Sequence, residues 1–127
     1  MKKILLLCLF VSFLFSSSIK ELSNMDEIEE NRLTFLMFST SYCPWCVRQT
    51  NTLEKIQKKR EEIQIFKVKD DSKIYKELLE KYPFVIEFYP TSYLVNKNNG
   101  ELEINYEFQG YQKEKNILEV IDNKDNY

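Results

Sequence analysis

Two cysteines separated by two residues, Cys43-Pro44-Trp45-Cys46, are the side chains whose types and spacing can do chemistry. The reactive form of a cysteine is the thiolate. It is favoured where backbone N–H groups and the positive end of a helix dipole face the sulfur. The surrounding stretch has that form. The apolar run Phe35-Leu36-Met37-Phe38 passes through the polar link Ser39-Thr40-Ser41-Tyr42 to Cys43, and a helix-like segment follows. Cys43 therefore reads as the start of a helix, with unpaired N–H groups around its sulfur. Pro44 suits the first helical position, where its missing N–H costs nothing. Cys46, one turn further on, can reach back to Cys43 and close a small disulfide ring.

Two plainer readings stand beside this one. A zinc half-site would need four ligands. The chain has no histidine, so carboxylates or a second chain would have to complete the set. An inert staple gains little, because so small a ring restricts little chain entropy. The lack of histidine also removes Ser-His and Cys-His nucleophile pairs. No metal and no bound cofactor are expected.

The third cysteine, Cys8, belongs to an N-terminal stretch of different character. Lys2 and Lys3 precede an apolar run from Ile4 to Phe15, and Ser16-Ser17-Ser18 supplies small residues for cleavage. This pattern reads as a signal peptide over residues 1–18, with the domain over 19–127. The apolar run is shorter than the roughly 20 residues of an ordinary membrane span, although an uncleaved N-terminal anchor is the alternative. Cleavage would remove Cys8 and leave Cys43 and Cys46 in a compartment where disulfides persist. The expected location is the periplasm, with a eukaryotic secretory lumen as the other possibility. The terminal residues Asn123-Lys124-Asp125-Asn126-Tyr127 are not an ER-retention signal.

The remaining elements have to position the cysteine pair. The chain has 127 residues, a formal charge of −2 and 43% hydrophobic content, which suits one small domain with its own core. Nine Phe and eight Tyr make that core aromatic, and the weak net charge gives no footprint for nucleic acid. Ile19 to Asn31 is charged and contains a short helix capped by Asn24 with acids in its first turn, and Arg32 to Ser39 reads as a buried central strand. Cys43 to Arg60 reads as a helix with Val47, Thr50, Leu53 and Ile56 on its inner face. Ile63 to Val68 is a second strand. Asp70-Asp71-Ser72 caps a helix carrying Ile74, Tyr75, Leu78, Leu79 and Tyr82, which Pro83 stops. Phe84 to Phe88 is extended, and Thr91 to Val95 is a third strand. Asn96 to Gly100 forms a hairpin turn, and Leu102 to Phe108 returns. After Gly110 a last helix carries Ile117, Leu118 and Ile121. The order α-β-α-β-α-β-β-α implies a four-stranded mixed sheet with helices on both faces.

The chain resembles the thioredoxin superfamily over nearly all of the region after the signal peptide. Three features carry the likeness. They are the strand–Cys43-Pro44-Trp45-Cys46–helix order, Tyr89-Pro90-Thr91 opening a strand in the manner of a cis-proline loop, and the strand–turn–strand Tyr93 to Leu102. The resemblance implies an α/β thioredoxin fold and an exported thiol–disulfide oxidoreductase. In that reading Cys43 and Cys46 form the redox-active disulfide. Cys43 attacks, Cys46 resolves, Pro90 lies in cis against the pair, and the backbone of Tyr89 pairs with an extended substrate. Trp45, Tyr89, Pro90 and Thr91 are the expected substrate-binding residues.

The substrates are expected to be protein thiols and disulfides. A membrane-bound redox partner would recycle the pair, no cofactor or metal takes part, and the chain is a monomer. The direction leans to reductase or thiol maintenance. One departure is specific. Typical members carry a buried aspartate six residues ahead of the first cysteine, where this chain has Met37, so the usual group for the proton of Cys46 is missing. Lys67 lies where the family often has a lysine, and otherwise reads as a solvated strand residue. Two other functions remain open. One is a non-catalytic binding or chaperone module that uses the Tyr89–Pro90 groove. The other is a glutaredoxin-like, glutathione-dependent enzyme, against which no second glycine-containing motif follows the proline loop.

Overall fold

The computed structural model describes residues 19–123, so the signal-peptide reading of residues 1–18 lies outside the described residues. Five strands form one sheet in the order β1-β3-β2-β4-β5. They are β1 (Lys20–Glu21), β2 (Thr34–Ser39), β3 (Gln64–Lys69), β4 (Thr91–Asn98) and β5 (Glu101–Gln109). The first three run parallel, whereas β2–β4 and β4–β5 are antiparallel. Three helices, α1 (Pro44–Lys59), α2 (Lys73–Lys81) and α3 (Glu114–Asp122), cover the two faces.

The sheet has five strands, not the expected four, because the stretch ahead of Asn24, to which the sequence assigns no element, adds one, and the helix expected after Asn24 falls short. Ile19 and Leu22 are both buried, but in different cores on opposite faces of the sheet. Positions three apart share a face on a helix and take opposite faces on a strand. Burying both residues therefore requires extended chain, and Lys20 and Glu21 pair with Phe66 and Lys67 at the edge of β3. Only one 3-10 turn, Met25–Glu27, remains of the helix. Asn24 caps it as expected, and its side chain accepts the Asp26 N–H at 2.9 Å.

β2 is the hub. All six of its residues are buried, and their alternation divides the interior. Leu36 and Phe38 face a core with Ile74 and Leu78 of α2. Phe35 and Met37 face a second core with Leu53 and Ile56 of α1 and Ile117 and Ile121 of α3. β2, α1 and β3 thus form a parallel crossover unit, which sets the N-terminus of α1 above the C-terminal end of β2.

The β4–β5 hairpin is longer and tighter than expected. Its turn is only Asn99-Gly100, both in the left-handed region (φ 54° and 80°), as a two-residue hairpin turn requires. Glu30 holds that turn, accepting from the N–H groups of Asn99 (2.8 Å) and Gly100 (2.9 Å). Asn96 to Asn98 belong to the ladder instead, and the buried Lys97 ammonium donates to the carbonyls of Met25 (2.9 Å) and Ile28 (3.2 Å). A register shift beside Asn105 lets Leu102 and Ile104 serve one core while Tyr106 and Phe108 serve the other. Among the described residues, no helix is long and apolar enough to cross a membrane.

Candidate functional site

The sulfur pair sits at the N-terminus of α1. Tyr42, fully exposed, takes left-handed backbone (φ 56°) and turns the chain from β2 into the helix. Cys43 is the N-cap in extended conformation, and its carbonyl accepts the first helical hydrogen bonds from Cys46 N–H (3.0 Å) and Val47 N–H (3.1 Å). Its sulfur accepts the Cys46 N–H at 3.1 Å. This is the helix-terminus environment that favours a thiolate. Cys43 and Cys46 are joined as a disulfide with a Cα–Cα separation of 5.2 Å. The two sulfurs are not equivalent, because Cys46 is only 5% exposed whereas Cys43 is half-buried at the surface.

A second loop faces the pair. The Tyr89–Pro90 peptide bond is cis, and Pro90 is buried. The Tyr89 carbonyl oxygen lies 3.9 Å from Cys43 Sγ. Several hydroxyls set this loop. Thr91 donates to the Phe88 carbonyl (2.7 Å), and the Tyr89 and Tyr75 hydroxyls are 2.7 Å apart. Burial, reinforced by that hydrogen bond, pushes the Tyr89 phenol well above its ordinary range. Tyr93 reaches from β4, donating to the Val85 carbonyl and accepting the Val85 N–H, both at 2.9 Å. Burial raises its phenol too.

A groove beside the disulfide, about 370 Å³, is lined by Trp45, Tyr89, Pro90, Gly110 and Tyr111. Trp45 and Tyr111 face each other with ring centroids 5.6 Å apart, and the Arg48 guanidinium lies 4.7 Å from the Trp45 ring centre. The structure thus gathers Trp45, Tyr89 and Pro90 next to Cys43 and Cys46. Thr91 is different. It is 1% exposed, and its hydroxyl is spent on Phe88, so its side chain holds the loop and is not among the residues that line this groove.

Gly110, Tyr111 and Gln49 were not singled out by sequence reasoning. The expected inner face of α1 was also misplaced in its first half. Val47 is 61% exposed and Thr50 half-buried, while the buried stripe is Cys46, Gln49, Thr52, Leu53 and Ile56. A glutamine on that stripe, three residues after Cys46, was the available signal.

Behind the pair, on the α1 face, lies a cavity of about 500 Å³ whose lining includes Ser39, Cys46, Thr50, Lys67 and Lys69. Lys67 pairs with Met37 in the parallel β2–β3 register and shares its face, so it looks into this cavity instead of being a fully solvated strand residue. Met37 is 0% exposed and packs in the apolar core. No carboxylate lines the cavity. Among the described residues, no group of three or more His, Cys, Asp or Glu is placed to hold a metal ion.

Comparison with known proteins finds a family model and solved structures similar to this chain. The family model described as Glutaredoxin matches residues 35–90, from the central strand through both cysteines to the cis proline. The fold is similar to a thioredoxin-like protein from Clostridium perfringens (28% identity, 84% of this chain and 81% of that one, TM-score 0.66). It is also similar to Trichomonas vaginalis thioredoxin (18%, 84% and 97%, 0.66) and to Chlamydomonas reinhardtii thioredoxin f2 (19%, 80% and 93%, 0.62). No curated protein matches the sequence.

Proposed function

We propose that the chain, with its thioredoxin-like fold and its Cys43–Cys46 disulfide, is an exported thiol–disulfide oxidoreductase that acts on protein disulfides, in the direction of reduction and thiol maintenance. The observation that carries the roles is the unequal exposure of the two sulfurs. The reachable sulfur, Cys43, attacks, and the buried one, Cys46, resolves.

In the reduced protein the Cys43 thiolate attacks one sulfur of a substrate disulfide. That S–S bond breaks, the departing thiolate takes up a proton, and a mixed disulfide on Cys43 forms. The Cys46 thiol then loses its proton and attacks Cys43 Sγ. This releases the second substrate thiol and leaves the Cys43–Cys46 disulfide. Two electrons pass to the substrate, and an external dithiol donor must return them. With Met37 in the core and no acid lining the cavity, the Cys46 proton leaves to solvent in the cavity beside Lys67. The Cys46 N–H, which donates to Cys43 Sγ, helps to hold the thiolate in the reduced protein.

The test is insulin reduction driven by dithiothreitol. Wild type should turn over, Cys43→Ser should be inactive, and Cys46→Ser should accumulate mixed disulfides with substrate. Turnover by Cys43→Ser would overturn the mechanism, and an inactive wild type would favour a non-catalytic binding module. Export rests on Lys2-Lys3, the apolar run to Phe15 and the serines that follow, and a membrane-bound donor would then recycle the pair. Cell fractionation and N-terminal sequencing of the mature chain test it.

The Glutaredoxin match supports a second reading, in which glutathione is the electron donor. Glutathione-coupled reduction of bis(2-hydroxyethyl) disulfide would support it. Failure there, with insulin turnover retained, would leave the protein-substrate reading.

A further inference from the structure

Gln49 is 0% exposed, on a helix stripe otherwise used for packing. A buried primary amide is costly unless its donor and acceptor are both matched. Here both are matched by one residue 63 positions away. Gln49 Nε2 donates to the Gln112 carbonyl at 3.0 Å, and Gln49 Oε1 accepts the Gln112 N–H at 2.7 Å. The side chain imitates a strand neighbour and fixes both backbone groups of Gln112. Three residues on, the Thr52 hydroxyl lies 3.3 Å from the Tyr111 hydroxyl. Tyr111 is thus held at both ends, by its neighbour's backbone and by its own phenol, with its ring against Trp45. Gly110 keeps the other side of the groove low. It has φ 77°, and a Cβ there would sit 3.9 Å from the Phe88 ring.

We propose that Gln49 is a specificity-determining positioning residue. It locks Tyr111 against Trp45, so that the groove beside the disulfide accepts an apolar side chain adjacent to the cysteine of a peptide disulfide. This inference rests on the oxidoreductase reading, since the groove matters only if a substrate disulfide reaches Cys43. The recognition chemistry is local. The groove is lined by the aromatic residues Trp45, Tyr89 and Tyr111 and by Pro90, and a substrate backbone would run along Tyr89. A small disulfide such as bis(2-hydroxyethyl) disulfide has no side chain to place there and does not sense the wall.

Two readouts test the proposal in the full chain. The first is specificity: kcat/KM for a peptide disulfide with leucine or phenylalanine beside the cysteine, divided by that for bis(2-hydroxyethyl) disulfide. Gln49→Leu should lower this ratio about five- to tenfold, with the change in KM for the peptide. Tyr111→Ala, which deletes the wall and leaves both Gln49 hydrogen-bond partners in the chain, should lower it by a similar factor. The second needs no turnover. Trp45 is the single tryptophan in the chain, and its emission reports on Tyr111. Gln49→Leu should red-shift that emission and increase its quenching by acrylamide. An unchanged ratio in both variants, or an unchanged Trp45 spectrum in Gln49→Leu, overturns the proposal. If wild type reduces neither disulfide while the Trp45 shift is present, the oxidoreductase reading has failed and the contact itself stands.

Discussion

Replacing Tyr93 by phenylalanine removes one oxygen atom and tests how the loop opposite the cysteines is held. The ring can stay where it is, packed edge-on against Phe84 (4.8 Å) and Phe38 (5.9 Å), so the change isolates the hydroxyl. That hydroxyl serves both backbone groups of Val85 at 2.9 Å. Each such bond contributes a net ~0.5–1.5 kcal/mol. Val85 is 57% exposed, so water can reach its peptide groups once the phenol is gone. The cost therefore falls toward the lower part of the range, about 1–2 kcal/mol for the pair. For a domain of this size that corresponds to a Tm lowered by about 5–10 °C.

Urea unfolding of the oxidised protein, followed by far-UV circular dichroism, measures the cost directly. The function should respond as well, because the stretch from Val85 leads to Tyr89 and Pro90. A loosened stretch should raise KM for peptide disulfides a few-fold and leave the reduction potential of the pair in place. A stability loss below about 0.3 kcal/mol would refute the hydrogen-bond reasoning, since two real bonds cannot cost so little. A full stability loss with KM unchanged would refute the link between this stretch and the groove.

Other perturbations read different parts of the molecule. The carboxyl of Glu27 is held down at about 2 by the Ser23 N–H first and by Lys20 second, below the ordinary 4.5. Its contribution is therefore complete above pH 4.5 and lost as pH falls toward 2. Screening by solvent reduces it to about 1 kcal/mol, so Glu27→Gln should flatten the pH dependence of urea stability across that window. Gly100→Ala meets no atom within 4 Å but must keep φ 80°, which should cost about 1 kcal/mol through backbone conformation alone, read by the same unfolding measurement. Among the described residues, the Ser92 hydroxyl is a buried side-chain oxygen without a protein hydrogen-bond partner, so Ser92→Ala should leave the urea midpoint unchanged or raise it. Lys67→Gln and Lys69→Gln each remove a cation from the cavity shared with Cys46. Thiolates are then less favoured, and equilibration with glutathione buffers should give a potential lower by about 10–20 mV per lysine, the equivalent of about 0.5–1 kcal/mol.

What the sequence made legible follows from how local each signal is. The β2 run is buried on both faces and so is continuously apolar, and Ser72 and Pro83 bracket α2 in the chain itself. Cys43-Pro44-Trp45-Cys46 announces its own helix start. β1 had no such signature. It is two residues long, its own side chains are exposed, and its burial lies in the flanking Ile19 and Leu22. The α1 stripe was misplaced because Val47 looks apolar and Gln49 does not, and only the backbone of Gln112 makes a buried glutamine affordable. Asn96 to Asn98 resembled a turn by composition. Lys97 lies in the ladder because Met25 and Ile28 offer carbonyls to its ammonium, a contact roughly 70 residues away in sequence. The groove wall at Tyr111 was missed for the same reason. Nothing near residue 111 in sequence mentions Trp45.

These long-range contacts make α1 more than a mount for the cysteines. Its N-cap carries Cys43, its first turn carries Trp45 and Cys46, its second carries Gln49 and its third carries Thr52 and Leu53. Cys46, Gln49, Thr52 and Ile56 fall on one side because residues three and four apart on a helix share a face. The sulfur chemistry, the grip on the Gly110–Gln112 wall and the anchor in the α1–α3 core are therefore fixed to one rigid element. Cleavage of the disulfide changes bonding only at the first turn. The Leu53 and Ile56 packing and the two Gln49 hydrogen bonds lie outside that change. The Gly110–Gln112 wall is accordingly held by contacts that do not involve the disulfide. Affinity for a substrate flank is then set by the static walls, and reactivity is set by the exposed sulfur at the cap. The two properties can be altered separately by substitution, at Gln49 or Tyr111 for the first and at Lys67 or Lys69 for the second.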